Sequence, residues 1–358
     1  MKIIHTGDVH LGSAFGGLSK DRAAIRQAEL LDGFRRLCAY AKEVGVTAVL
    51  IAGDLFDGEK TPKSIYKEVF AAIMAASPVC FFYVSGNHDE GIAFSEIPQN
   101  LYLFSQNRGW ASYDLPENIT VTGIDGKFLR AESYGQLRLR AERFNILMMH
   151  GDIYRADGTD GIALSRLQNL GIDYLALGHI HIPTLQAERL DGRGKYRYCG
   201  CLEGRGFDEV GRRGFFLLDI QNGKVVKEEF LTFSRREVVE HGVDISSCRT
   251  YYEVENAVLN GLNGVRREDT VKVVLRGRHL AGLKKDISLL TARLSQNFFH
   301  IKVVDESKIF IDYTAYEKDL SERGEFVREV GRYAMSEDER AEILDVGLKA
   351  LAGEEIDL

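Results

Sequence analysis

Residues 46–57 read VTAVLIAGDLFD. Seven residues, all apolar except Thr47, run without interruption up to Gly53. A continuous apolar run of this kind marks a strand covered on both faces, as in a parallel sheet whose crossover helices lie against it. The run then gives way through a glycine to Asp54 and, three residues on, to Asp57. Carboxylates placed there sit where open α/β sheets gather their ligands, at the carboxyl ends of the strands.

The same pattern recurs along the chain. KIIHTGDVH (2–10), PVCFFYVSGNHDE (78–90), FNILMMHGD (144–152) and IDYLALGHIH (172–181) each pass from an apolar run into a glycine-adjacent polar cluster. Helical periodicity fills the intervals. Ala24, Ala28, Leu31, Phe34, Cys38, Ala41 and Val44 recur at steps of three or four across 20–44, IYKEVFAAIMAA (65–76) follows, and a further helix is expected near 160–170. After Pro183 the pattern becomes hairpin-like, with KYRYCGC (195–201), RGFFLLDI (213–220) and KVVKEEFLTF (224–233). The expected fold class is α/β, a two-sheet β-sandwich flanked by helices over residues 1–233. A small α/β module is expected over 234–315, with a helix near 250–262, strands at 270–277, 300–306 and 308–313, and a helix at 281–296. The tail, 316–358, carries helical stripes at Phe326, Val330 and Tyr333 and at Ala341, Leu344, Leu348 and Leu351.

Composition narrows the class of protein. Hydrophobic content of 45% and charged content of 28% are ordinary for a soluble globular chain. No apolar run is long enough for a membrane span, and the chain opens directly on a strand pattern, so neither a signal peptide nor a membrane segment is expected. The five cysteines (Cys38, Cys80, Cys199, Cys201 and Cys248) are scattered and odd in number, which argues against a disulfide framework and for the cytoplasm. The net charge of −7 resides in the tail, where 13 acidic residues face 6 basic ones, and the preceding 315 residues are neutral. A neutral body lacks the basic footprint that tight nucleic-acid binders carry. Arg205, Arg212, Arg213, Arg276 and Arg278 are weak candidates for DNA contact, set against the plainer reading of solvated charge.

The chemistry lies in the clusters GDVH (7–10), GDLFD (53–57), GNHDE (86–90), HGD (150–152) and GHIH (178–181), which hold five of the nine histidines. Asp8, His10, Asp54, Asn87, His150, His179 and His181 form a mixed nitrogen and oxygen donor set suited to manganese, iron or zinc. Seven donors are too many for one such ion and fit two divalent ions about 3.5–4 Å apart. A single GD or DxH at a strand end is usually a turn or a cap; five in succession, each after a strand, are not.

This series resembles the calcineurin-like metallophosphoesterase superfamily. Within it, IIHTGDVHLGSAF and AGDLFD resemble the SbcD-type DNA-repair nucleases and their YhaO-like relatives. The resemblance implies that Asp8, His10 and His181 hold one metal ion, that Asn87, His150 and His179 hold the other, and that Asp54 bridges them, with Mn2+ as the expected ion. It implies a bridging hydroxide as nucleophile and His88 as the acid, oriented by Asp89. Asp57 either orients a ligand or caps a turn. The arginine that follows the second motif in protein phosphatases is missing, since Gly58 and Glu59 stand there. The implied activity is hydrolysis of DNA phosphodiester bonds. Implied partners are DNA, an SbcC-type coiled-coil ABC ATPase docked by the tail, and a second copy of the chain, packed through helices near 62–77 and 98–108. The alternatives are a small-molecule phosphodiesterase or phosphatase on the same fold, and a non-catalytic scaffold for an ATPase. For the tail, the alternative is packing on its own domain.

Overall fold

The structure, a computed structural model, describes all residues except 59–60, 90–95, 156–159, 281–282, 311–315, 317 and 354–358. It divides into two compact units, Met1–Glu237 and Val238–Leu358. The first unit opens with β1 (Lys2–Thr6), α1 (Lys20–Glu43), β2 (Ala48–Ala52), α2 (Lys63–Ala75), β3 (Cys80–Val84) and β4 (Leu101–Leu103). It continues with β5 (Ala111–Leu115), β6 (Ile119–Gly123), β7 (Phe144–His150), β8 (Tyr174–Gly178), β9 (Glu188–Arg189) and β10 (Lys195–Tyr198), and ends with β11 (Gly214–Gln221) and β12 (Lys224–Thr232). Two six-stranded sheets result, in the orders β12-β11-β1-β2-β3-β4 and β5-β6-β7-β8-β10-β9. β1 to β4 run parallel, as do β6, β7, β8 and β10.

Alternation along the strands explains why β2 reads as continuously apolar. Val49 and Ile51, with Ile4, Phe81 and Tyr83, pack into one core with Leu30, Phe34, Leu37 and Ala41 of α1 and Val69 and Ile73 of α2. Ala48 and Leu50, with Ile3, Phe82 and Val84, pack into a second core with Ile146, Met148, Tyr174 and Ala176 of the other sheet. Successive side chains of a strand point to opposite faces, so a strand between two cores has no polar face. Burying one Val, Ile, Leu or Phe contributes about 1.5–3 kcal/mol, and β1 to β3 bury such residues on both sides.

The second unit holds β13 (Val238–Asp244), α3 (Tyr251–Gly261), β14 (Thr270–Arg276), β15 (Arg278–Leu280), α4 (Ile287–Leu294), β16 (His300–Asp305), β17 (Lys308–Phe310), α5 (Glu322–Gly331) and α6 (Glu337–Ala352). β13, β14 and β16 form a parallel sheet, and β15 pairs with β17. α5 and α6 close a small core of Val327, Val330 and Leu344 against Ile309 and Phe326, and Tyr333 remains exposed.

Three expectations need correction. The stretch near 160–170 carries only a short 3-10 turn, Leu164–Arg166. Backbone bonds from Asp152 N–H to the Asp160 carbonyl and from Ile162 N–H to the Asp152 carbonyl divert that segment from a helix. The helix expected over 281–296 begins at Ile287, where the Asp286 side chain accepts from Leu289 N–H and caps it. The region 98–108 is β4 and a 3-10 turn rather than a helix, because Leu101 and Leu103 pair with β3. Residues 311–313 of the strand expected at 308–313 lie outside the described residues. Among the described residues, no helix is long and apolar enough to cross a membrane.

Candidate metal centre

Asp8 and His10 follow β1, Asp54 follows β2, Asn87 and His88 follow β3, His150 ends β7, and His179 and His181 follow β8. Parallel pairing brings β1, β2 and β3 to one edge of the first sheet, and β7 and β8 to the same edge of the second. The chain leaves these strands abruptly. Asp8, His10 and Asp54 have φ of 49°, 51° and 48°, and His179 has φ of 103°. Left-handed backbone at non-glycine residues costs about 1–3 kcal/mol each and persists where packing enforces it, commonly at functional sites. Glycine is required at two contacts: a Cβ at Gly53 would strike the His150 ring, and one at Gly86 would strike the Asp54 carboxylate.

Three histidines are anchored from outside the cluster through Nδ1. His150 Nδ1 donates to the Ala52 carbonyl at 2.9 Å, His181 Nδ1 to Glu209 Oε1 at 2.6 Å, and His10 Nδ1 to Asp57 Oδ1 at 3.3 Å. An outward Nδ1–H bond fixes the tautomer and turns the Nε2 lone pair inward. Burial pulls His10 down to about 4 and lowers His150 as well, so both are neutral at pH 7. His10 Nε2 lies 3.1 Å from His181 Nε2 and 3.6 Å from Asp54 Oδ2. His150 Nε2 lies 3.0 Å from Asn87 Oδ1 and 3.5 Å from Asp54 Oδ2, and His179 Nδ1 is 3.3 Å from Asn87 Oδ1. Asp8 Oδ1 is 4.0 Å from His181 Nε2 and accepts the His179 N–H at 3.0 Å. Burial, and then the neighbouring Asp54, push the Asp8 carboxyl well above its ordinary range.

Acceptors that face one another at such distances repel unless a cation lies among them. Nitrogen and carboxylate ligands bind divalent ions such as zinc at about 2.0–2.2 Å, so pairs about 3 Å apart can share an ion. The donor chemistry therefore fits divalent metal. Asp8, His10 and His181 have donor atoms within 4.8 Å of one another, as do Asp8, Asp54 and His150. So do His10, Asp57 and His88.

Asp89 is placed differently from its expected role. Its carboxylate accepts from the backbone N–H groups of Leu55, Phe56 and Gly86 and does not meet the His88 ring. Asp57 does so instead: its Oδ1 lies 2.9 Å from His88 Nδ1, and its Oδ2 accepts from Ser13 Oγ at 2.8 Å. The His10 bond is the first of the causes that hold the Asp57 carboxyl below its usual range. His88 is 46% exposed, so its outer edge faces solvent.

Glu209 was missed by sequence reasoning. It lies in a glycine-rich turn whose local pattern carries no signal, and only the partnership with His181 reveals it. Burial raises its carboxyl, but the His181 bond and the Arg205 charge outweigh this and hold it at about 2. The basic candidates are also redistributed. Arg205 belongs to this cluster, donating to Ser13 Oγ at 3.1 Å. Arg213 is 2% exposed and donates to the carbonyls of Arg212 and Val210, which removes it from any surface. Arg276 is held by Glu240 and Arg278 by Asp338, while Arg212 is exposed. His5 is buried, with Nδ1 2.9 Å from the Tyr174 hydroxyl, as a packing residue.

Known proteins share this arrangement of sequence. The chain is 26% identical over 304 residues to the uncharacterized metallophosphoesterase YhaO of Bacillus subtilis, covering 77% of this chain and 72% of that one. It is 26% identical over 306 residues to the DNA double-strand break repair protein Mre11 of Aeropyrum pernix, covering 76% and 72%. It is 27% identical over 282 residues to the SbcD component of the SbcCD nuclease of Escherichia coli, covering 64% and 68%. The sequence profile described as calcineurin-like phosphoesterase matches residues 1–183, just over half the chain and every strand end from Asp8 to His181. The converging donors and that match lead to one conclusion: the chain belongs to the calcineurin-like phosphoesterase family and is a metal-dependent phosphoesterase.

Proposed function

We propose that this protein hydrolyses phosphodiester bonds of DNA with two divalent ions, manganese by preference. The observation that carries the reading is the donor-only inner surface of the cluster, with His10, His150 and His181 each turned inward by an outside acceptor. Asp8, His10 and His181 would hold one ion, Asn87, His150 and His179 the other, and Asp54 would lie between them. When bound, the ions acidify water and withdraw charge from the phosphoryl oxygens. His88, steadied by Asp57 at Nδ1, delivers a proton from its exposed edge to the departing alkoxide. Asp89 holds the loops after β2 and β3 together through its three backbone acceptor bonds.

The DNA substrate and the ATPase partner are supported by the relatives named for double-strand break repair and for the SbcCD nuclease. A homodimer and docking of α5 and α6 on a coiled-coil ATPase belong to the same reading. Manganese-loaded protein assayed side by side on duplex DNA with free ends, single-stranded DNA and cyclic nucleotides tests it. Cleavage of the DNA substrates is expected, and turnover of cyclic nucleotides alone would overturn it.

A further inference from the structure

Beside the candidate metal centre lies a cavity of about 720 Å³ in the first unit. It falls in the range of about 300–1,000 Å³ typical of small-molecule sites. Asn87 and His150 form one end, so whatever fills the cavity adjoins the inward-facing donors. Its wall comes largely from the segment after β6, with Asp125, Lys127, Arg130 and Tyr134, and from Arg166.

Arg140, Arg193 and Arg197 are each held by a carboxylate. Lys127, Arg130 and Arg166 are exposed and, among the described residues, have no ion pair. Lys127 lies 5.0 Å from the Phe128 ring, Arg130 donates to the Leu129 carbonyl, and Arg166 donates to the Ala131 carbonyl and lies 5.9 Å from the Tyr134 ring. Three exposed cations, two of them guanidinium forks, suit phosphate oxygens. Among the described residues, Asp160 is the one other carboxylate in the wall besides Asp125. The Asp125 side chain is buried, and one of its oxygens accepts from Lys127 N–H at 3.3 Å.

We infer that this cavity binds one nucleotide unit of the substrate strand, its phosphate against Lys127, Arg130 and Arg166 and its sugar or base toward Tyr134. The substrate class rests on the phosphodiesterase reading above. The cavity would let a chain with a neutral body grip a nucleic acid end through positive charge placed beside the site.

The test is calorimetric titration of dTMP and of inorganic phosphate into the full, manganese-loaded chain, for the wild type and for the Lys127→Ala/Arg130→Ala double variant. Both side chains are exposed, and the melting temperature of the variant checks its fold. dTMP should bind more tightly than phosphate, and the double variant should weaken dTMP by about tenfold or more, as expected for lost charge-assisted bonds. Equal dTMP affinity in the two proteins, or phosphate binding as tight as dTMP, would overturn the assignment. Hydrolysis of bis(p-nitrophenyl) phosphate by the wild type reads the phosphodiesterase activity separately. If that is absent while dTMP binding still depends on Lys127 and Arg130, the proposed function fails and the nucleotide pocket stands.

Discussion

The first unit buries two clusters of charged side chains, and they are built in opposite ways. One lies under α1, where Arg26 and Arg236 hold Glu29 and where Arg26 and Arg36 flank Glu203. Burial raises the Glu29 carboxyl, but the bonds from Arg236 and Arg26 more than offset this, and it ends below its ordinary value. The other lies at the strand ends, where Asp8 and Asp54 are 0% and 2% exposed and face histidine lone pairs rather than cations. There the carboxyl of Asp8 is pushed up. Burial of charge is common to both. Only the second turns its buried carboxylates toward histidine nitrogens, and only there, among the described residues, does the backbone take left-handed turns at aspartate and histidine. A buried charge cluster points to function when the cation it requires must come from outside the chain.

The contrast breaks most visibly at Asp54. Asp54→Ala should lower phosphodiester hydrolysis by about a thousandfold or more. Bound manganese, read by elemental analysis, should fall with it, and the fold should survive. A variant that keeps both metal and rate would place Asp54 outside the site. The paired cluster should behave in the reverse way. Arg26→Ala leaves Glu29 and Glu203 short of a buried partner and should cost about 3–5 kcal/mol in chemical denaturation, with metal content per folded molecule unchanged. Loss of metal there instead would dissolve the distinction between the two clusters.

His88→Ala sharpens the division within the site. It should lower kcat by about a hundredfold or more while both metals stay bound, and the loss should be least for substrates whose leaving group needs no proton. Full activity in this variant would remove the acid role. Glu209→Ala unties His181 and should weaken metal affinity by about 10–100-fold, with a smaller effect on kcat at saturating manganese. An unchanged affinity would make Glu209 a packing residue.

The smallest effect concerns His5, which is buried beneath the site and outside it. Burial, and secondarily the Arg197 charge, lower His5 to about 3. A depressed folded value means that its contribution to stability is complete above the unfolded value near 6.5 and is lost as pH falls toward 3. At pH 5.5 the loss is about 1 kcal/mol, from roughly one pH unit of unequal protonation. Melting curves of the wild type and of His5→Asn between pH 7 and pH 4 check this. The variant should show a flatter decline by up to about one proton, and parallel curves would disprove it.

Much of the site was legible in sequence because it is written at strand ends. A buried parallel strand must be apolar on both faces, so β2, β3, β7 and β8 stand out as runs, and whatever follows the run is placed at the sheet edge by topology. The seven candidate donors follow from that logic. β5 and β6 gave no such signal, since Thr120 and Thr122 interrupt the apolar run. The helix expected near 160–170 failed because backbone bonds to Asp152 claim the segment, and periodicity does not see such bonds.

By itself, then, the sequence determined the α/β class, the strand-end donor set and the family resemblance, because apolar periodicity and glycine-flanked polar residues are local properties of the chain. Tertiary structure alone decided the partnerships. It put Asp57 rather than Asp89 on His88, tied His181 to Glu209, buried Arg213, and gathered the exposed Lys127, Arg130 and Arg166 around a cavity. The physical reason is the same for each. A charge acquires its role from the groups within a few ångströms of it, and residues as far apart in sequence as 181 and 209 become neighbours only when the sheets close.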